Sequence, residues 1–386
     1  MTSPRCFKIP SLILAAAVVA GFGFIFPASA QHDVSYLVDL NTRQVTSLGT
    51  SDFGSAINDS GQVAGYSYTP AGNYHAFITG PNGVGMTDLG TLGGDFSNAS
   101  GINASGQVAG TSLLPGVGNN SHAFITGPNG RGMSNIGPFE EYSRSNAYDI
   151  NNSGQVVGDL SVSGDPYSHA FITGPNGMGM RSLGGQYSAA FGINDAGQVV
   201  GHDYATGPSR AFITGPNGTD MRDLGTLGGI FSWANDINNA GQAVGSSTTN
   251  VADADPNHDG HAFITGPNGT EMRDLGTLGG NYSEARAINN AGQVVGFSAM
   301  GHPVFPGGPD IEHAFVTSPD GAGMMDLNLL ANLPEGIILT NAVDINNAGQ
   351  IIAVGTIPEP ESYALFLAGL ALVGFMARRK KLGVRA

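Results

Sequence analysis

Residues 56–65 read Ala56-Ile57-Asn58-Asp59-Ser60-Gly61-Gln62-Val63-Ala64-Gly65, and residues 75–83 read His75-Ala76-Phe77-Ile78-Thr79-Gly80-Pro81-Asn82-Gly83. Each stretch is a short apolar run bounded by turn residues. Asn58 to Gly61 reads as a four-residue hairpin loop, because Asn bonds its own backbone and Gly accepts φ > 0. Pro81 presets φ for a second turn, and Asn82 or Gly83 tolerates the left-handed region. The segment predicts four strands: a ending at Ile57, b at Gln62–Gly65, c at Ala76–Thr79 and d around Met86–Leu89.

The pattern recurs. Ile-Asn-x-x-Gly-Gln starts at Ile57, Ile102, Ile150, Ile193, Ile237, Ile288 and Ile345, at spacings of 45, 48, 43, 44, 51 and 57 residues. His-Ala-Phe starts at His75, His122, His169, His261 and His313, and Arg210 replaces the His in one further copy. Asp-Leu-Gly-Thr-Leu-Gly-Gly is clear at Asp88, Asp223 and Asp274. Four strands per ~45 residues, repeated, predict an all-β protein of β-propeller type. Before the first Ile-Asn motif, Ser35–Leu40 and Gln44–Leu48 look like a c–d pair. After the last, Asn341–Ile345 and Gln350–Val354 look like an a–b pair. Six units are complete, and the two halves add to a seventh blade that closes the ring and hides its edges. The alternative is another β-repeat solenoid such as a β-helix, which needs capping repeats.

Composition agrees with a turn-rich β protein. Gly numbers 60 of 386 residues and Asn 30. The Gly share is about double the usual ~7%. Gly has no three-residue period, which excludes collagen, and its cost of about 1 kcal/mol inside helices argues against a large helical protein. The 41% hydrophobic share is enough for a core. Residues 31–356 hold eight Arg, no Lys and 28 acidic residues, a net charge of −20. Such a chain repels nucleic acid and anionic lipid.

The two ends read differently. Arg5 and Lys8 precede an apolar run, Leu12 to Phe26, and Ala28 and Ala30 fit a signal-peptidase site. Residues 1–30 are therefore expected to be a cleaved signal peptide. Cys6, the one cysteine, falls inside it, so residues 31–356 have no thiol chemistry. At the other end, Pro358-Glu359-Pro360 precedes an apolar stretch, Tyr363 to Ala377, and then Arg378, Arg379, Lys380 and Lys381. The stretch is short for a full span of ~20 residues, and the basic cluster places the C-terminus in the cytoplasm. Residues 357–386 thus read as motif, short transmembrane helix and basic tail.

That order closely resembles the PEP-CTERM sorting domain of Gram-negative bacteria. The resemblance implies recognition by an exosortase, a membrane-embedded cysteine protease, and removal of the tail after transient inner-membrane anchoring. The recurring His-Ala-Phe resembles the HAF-repeat family of extracellular repeat proteins over about residues 35–356. That second resemblance implies export and repetition, and no reaction.

Candidate chemistry is sparse. His75, His122, His169, His261 and His313 form either a ring of ligands or one blade-building position. Arg210 at the equivalent place favours the latter, since Arg is neither a base nor an ordinary metal ligand. The same logic makes Asn58, Asn103, Asn151, Asn194, Asn238, Asn289 and Asn346 structural. Asp255, Asn257 and Asp259 with Gly260 fit the first half of a calcium loop, with Asp253 beside them as a further candidate ligand, but Gly266 stands where a bidentate acid is needed. The sole Trp, Trp233, is placed in a d–a connection, where it either packs or stacks on a sugar. No G-x-S-x-G, H-E-x-x-H or Walker loop occurs. The b–c connections are long at Ser247–Gly260 and Ser298–Glu312, and they are expected on the face opposite the a–b turns, where function gathers. No catalytic residue and no cofactor is assigned, apart from the calcium candidate. The expectation is a non-catalytic exported protein of the cell surface or extracellular matrix. Its partners would be signal peptidase and exosortase during export, the membrane through its C-terminal helix, and extracellular polysaccharide. The alternatives are a secreted polysaccharide-active enzyme on a propeller, which is fold analogy, and a calcium-dependent binding module.

Overall fold

The computed structural model describes residues 33–49, 52–116, 121–137, 142–162, 164–204, 207–249, 260–301 and 311–356. The signal segment, the calcium-type loop and the sorting tail with its expected helix lie outside the described residues. Among those described, the helical segments are single 3-10 turns, and none is long and apolar enough to cross a membrane.

The first strands in the chain are β1 (Asp33–Asp39) and β2 (Val45–Gly49). Blade 1 follows as β3 (Asp52–Ile57), β4 (Val63–Tyr68), β5 (Tyr74–Thr79) and β6 (Met86–Gly90). Blade 2 is β7 (Ser97–Ile102), β8 (Val108–Leu113), β9 (Ser121–Thr126) and β10 (Met133–Asn135). Blade 3 is β11 (Tyr142–Ile150), β12 (Val156–Val162), β13 (Ser168–Ile172) and β14 (Arg181–Gly184). Blade 4 is β15 (Ala189–Ile193), β16 (Val199–Asp203), β17 (Arg210–Gly215) and β18 (Thr219–Gly225). Blade 5 is β19 (Ser232–Ile237), β20 (Ala243–Thr248), β21 (Gly260–Gly266) and β22 (Thr270–Asp274). Blade 6 is β23 (Ser283–Ile288), β24 (Val294–Ala299), β25 (Glu312–Ser318) and β26 (Ala322–Asp326). The last strands are β27 (Ile338–Ile345) and β28 (Gln350–Thr356).

Blade 7 is shared between the two ends of this array, in the order β2-β1-β28-β27, so the seventh sheet is closed as the half-units predict. Val38 faces Ile351 and Tyr36 faces Ala353 across that seam. Every blade is a four-stranded antiparallel meander. Each a strand touches the a strands of both neighbouring blades, so seven a strands ring the axis. The d strands carry mostly exposed residues and lie outermost.

The core is divided among the blade junctions. Ile78, Ala64 and Ala56 of blade 1 pack on Phe124, Val108 and Ile102 of blade 2, and the arrangement repeats around the ring. The Phe of each His-Ala-Phe is sealed inside: Phe77, Phe124, Phe171, Phe212, Phe263 and Phe315 are all buried. Burial of one such side chain contributes roughly 1.5–3 kcal/mol. In blade 7, Tyr36 occupies this position. The Gly of Gln-Val-x-Gly has a steric cause. A Cβ on Gly65 would sit 1.9 Å from the carbonyl oxygen of Phe53, so strand b must be bare there for strand a to approach. The Gly-Pro-Asn-Gly turns are equally explicit, with Asn82 at φ 57° and ψ 34°.

Candidate functional site

One end of the axis is built by the a–b turns. Asn58 is buried and fully bonded: its Oδ1 accepts from Ser60 and Gln62 backbone N–H groups, each at 3.1 Å. Its Nδ2 donates to Gln62 Oε1 at 2.9 Å and to the carbonyl oxygen of Asn103 in the next blade at 3.0 Å. Asn103 reaches Asn151, Asn151 reaches Asn194, Asn194 reaches Asn238, Asn238 reaches Asn289, Asn289 reaches Asn346, and Asn346 returns to Asn58. Only an amide of this length both donates and accepts here. The repeated Asn residues are thus joined in a closed ring of seven hydrogen bonds. Five of the motif Gln residues, Gln62, Gln107, Gln155, Gln198 and Gln350, tie in the neighbouring c–d turn, as Gln350 does with Asn82 Oδ1 at 3.0 Å. The a–b and c–d turns therefore share one face.

Around this ring lies a second, incomplete one. Side chains following the ring Asn accept a backbone N–H from the preceding blade, running from Ala104 through Asn152, Asp195, Asn239, Asn290 and Asn347 to Asp59. Ala104 has no side-chain acceptor and interrupts it. Together the turns enclose an axial cavity of about 190 Å³.

Asp149 and Asp344 line this cavity, and Asp236 holds the same place in its strand, two residues before the ring Asn, in blade 5. Each bridges a junction. Asp149 Oδ2 accepts from Ile193 N at 2.9 Å, Asp236 Oδ2 from Ile288 N at 2.8 Å, and Asp344 Oδ2 from Ile57 N at 2.8 Å. Their Oδ1 atoms accept the next backbone N–H of their own strands. Burial raises all three carboxyls above the usual range, and Asp236 raises Asp149 and Asp344 further. Asp344 is pushed up to about 8. With both oxygens occupied by backbone donors, these groups clamp blades rather than reach for a ligand.

The c-strand histidines bond the outer part of their own blades. His75 Nδ1 lies 2.9 Å from Asp88, His261 Nδ1 2.9 Å from Asp274 and His313 Nδ1 2.7 Å from Asp326. His122 bonds Asn135, and His169 bonds Asp165 and the carbonyl oxygen of Gly185. These histidines are spread one per blade and do not converge. Among the described residues, no group of three or more His, Cys, Asp or Glu could hold a metal ion. Asp253, Asp255, Asn257, Asp259, Pro358, Glu359, Pro360, Arg378, Arg379, Lys380, Lys381, Ala28 and Ala30 lie outside the described residues.

The other end of the axis breaks the symmetry. Every a strand carries a β-bulge three residues before its ring Asn. A bulge re-aims one side chain out of the ladder. The bulged residue is Ser55, Ser100, Tyr148, Phe191, Asn235, Arg286 and Val343 in turn. One structural place thus holds six residue types, unlike the Asn ring. Sequence reasoning passed over these positions. Aligning the units on their Asn exposes them, because residues on both sides repeat and these do not. Trp233 requires a correction: it lies within β19, not in the connection before it, because the strand begins at Ser232. Its ring is stacked parallel to Phe231 with centroids 5.9 Å apart.

Two cavities open at this end. The larger, about 730 Å³, lies between blades 2 and 3, with Phe96, Asn98, Arg144, Asn146, Tyr148 and Asp159 among its walls. The smaller, about 240 Å³, lies at blades 4, 5 and 6 and is lined by Phe191, His202, Trp233, Asn235, Tyr282 and Glu284. Aromatic rings follow one another around the same end, from Phe53, Tyr66 and Tyr74 to Phe96, and from Tyr148 to Phe191. Burial and the charge of Asp159 push the Tyr148 hydroxyl up, so it remains a neutral donor.

The decisive comparison concerns the segment after β28. Residues 356–380 match the PEP-CTERM protein-sorting motif. The PEP-CTERM motif implies export, exosortase-dependent sorting and a C-terminal membrane-anchored sorting signal. No curated protein matches the chain. Among solved structures, a prolyl endopeptidase is similar at 10% identity and TM-score 0.51, covering 73% of this chain and 44% of its own. The acylaminoacyl peptidase of Pyrococcus horikoshii is similar at 9% identity and TM-score 0.50, covering 79% and 49%. TolB of Acinetobacter baumannii is similar at 12% identity and TM-score 0.42, covering 68% and 70%. The chain thus spans about half the length of the two peptidases. At these identities the likeness shows the fold alone.

Proposed function

We propose that this chain is a non-catalytic binding protein of the cell surface or extracellular polymer matrix, held at the membrane by its tail until exosortase removes it. The observation that carries this reading is the sorting motif placed directly behind a finished ring. β28 is paired on both sides, by β1 and by β27, before the motif begins. Cutting the tail therefore costs the propeller no strand. The recurring His-Ala-Phe supports membership of the HAF-repeat family. The aromatic and polar cavities at the bulged end supply contact surface for a polymer of amphipathic units.

The test is to delete Pro358–Pro360 and follow the chain in a host that carries the exosortase. Retention of the tail, with the protein kept in the membrane fraction, is the expected result. Unchanged mature size and release would overturn the sorting assignment. Turnover of a polysaccharide, lost on changing a single cavity carboxylate, would overturn the non-catalytic one.

A further inference from the structure

We infer that the pocket at blades 4–6 binds one neutral sugar ring of a polysaccharide, stacked against Trp233 and hydrogen-bonded to Glu284. The inference rests on the extracellular-polymer reading above and gives it a site and a ligand class.

The pocket has the two surfaces that a sugar ring presents in mirror image. Phe191, Trp233 and Tyr282 supply aromatic wall for the C–H face of a pyranose. Asn235 and Glu284 supply polar atoms for its hydroxyl rim. Tyr282 stands at a place that is aromatic in other blades too, at Phe96, Tyr187 and Phe231, whereas Phe191, Trp233, Asn235 and Glu284 do not belong to the repeat. Phe191 and Asn235 are the bulged residues of their strands, and Trp233 and Glu284 occupy the equivalent place two residues earlier in β19 and β23. A residue absent from the other blades is not needed to build a blade.

Glu284 is held in position before any ligand arrives. Its Oε2 accepts from the Tyr282 hydroxyl at 2.8 Å, and its Oε1 accepts from Asn235 Nδ2 at 3.0 Å and pairs with Arg286 Nη1 at 3.1 Å. Arg286 is itself fixed over the Phe297 ring, 5.3 Å from its centroid. A carboxylate has about four acceptor sites, so three donors leave capacity for a hydroxyl. Fixed acceptors of this kind lower the ordering cost of binding.

Charge selects among ligands. A quaternary ammonium group also fits an aromatic cage, but here it would meet a carboxylate already neutralised by Arg286. A uronate would find the Arg286 guanidinium already paired with Glu284, within a domain of net charge −20. Burial lowers the His202 imidazole to about 4, so at neutral pH it offers an anion no positive charge. Its Nδ1 is buried without a hydrogen-bond partner. A neutral, hydroxyl-rich ring is left as the occupant.

Trp233 is the single Trp of the chain, so its fluorescence reports on this pocket. The full-length chain, purified in mild detergent, is titrated with neutral gluco-, galacto- and manno-oligosaccharides, with oligogalacturonate and with choline. The same preparation is run in affinity electrophoresis through gels containing neutral polysaccharide. A saturable emission change with a neutral series, weakened about tenfold or more in Glu284→Gln, is the expected result. Tyr282→Phe, which removes one donor to Glu284, is a second variant that keeps the ring, and melting curves check that both variants fold. Response to choline or oligogalacturonate alone overturns the inference. So does retardation by polymer that Glu284→Gln and Trp233→Phe leave unchanged, although the polymer-binding reading then survives. Neither emission change nor retardation with any probe removes both.

Discussion

Asn346 Nδ2 donates to the carbonyl oxygen of Asn58 at 3.0 Å, across 288 positions of sequence. This bond closes the Asn ring at the junction where the two ends of the array meet. Asp344 Oδ2 accepts from Ile57 N at the same junction, and β1 lies against β28 in the adjoining sheet. The seam is therefore bound by side chains as well as by a ladder.

Asn346→Asp should break the ring at its weakest point in chain connectivity. The substitution keeps the shape but removes both Nδ2 donors and sets a carboxylate against the Asn58 carbonyl. Leaving buried partners unsatisfied costs about 1–3 kcal/mol, and more for a charge. Urea unfolding should show at least that loss, and an unchanged midpoint would sink the ring's role in stability.

Asp344 should make the fold weaker as pH rises. Its carboxyl is raised to about 8 in the folded chain by burial, then by Asp236 and Asp59. Its unfolded value is about 3.9. Between the two, the folded chain holds a proton that the unfolded chain has released. The stabilisation is full below about pH 4 and is lost as pH rises to 8. Asp344→Asn removes this titration. The melting temperature of the natural chain minus that of the variant should fall steadily from pH 4 to 8. A difference that stays flat across that window would contradict the assignment.

Gly65→Ala should be severe, although it adds one methyl group. The new Cβ would stand 1.9 Å from backbone, and overpacking of this kind costs typically 1–3 kcal/mol or more. Ala353 holds the equivalent place in blade 7, so Ala353→Gly should cost only the ~0.5–1 kcal/mol of added chain freedom. Thermal melting of the pair should show a clear asymmetry, and equal effects would refute the close-approach argument.

Removing residues 33–49 should cost far more than their number suggests. β1 and β2 form half of blade 7, and their loss bares the edge of β28. An exposed edge strand invites pairing with other chains. Size-exclusion chromatography should show aggregates, whereas a clean monomer with an unchanged melt would argue against closure at this seam.

The fold was legible because seven copies of one pattern report the same local rules. Asn58 and Gly61 fix a hairpin, Pro81 and Asn82 fix the next, and the spacing of Ile-Asn counts the blades. Half-units at the two ends of the array gave the closure. Trp233 was misplaced because the start of β19 has no turn residue to mark it: Phe231-Ser232-Trp233 runs directly into the strand. The clamping carboxyls at Asp149, Asp236 and Asp344 were invisible for another reason. They appear in three blades of seven, and nothing in a linear reading brings blades 3, 5 and 7 near enough for these carboxyls to raise one another.

The sequence by itself determined the strands, the turns and the number of blades, because propensities and turn chemistry act over four to ten residues and were repeated. The PEP-CTERM order of motif, apolar stretch and basic cluster is likewise local. Only the tertiary structure decided what the bulged residues do. Phe191, Asn235 and Glu284 belong to different blades and come together because the ring curves around one axis. A site made by curvature leaves no spacing in the chain, only the places where the repeat fails to repeat.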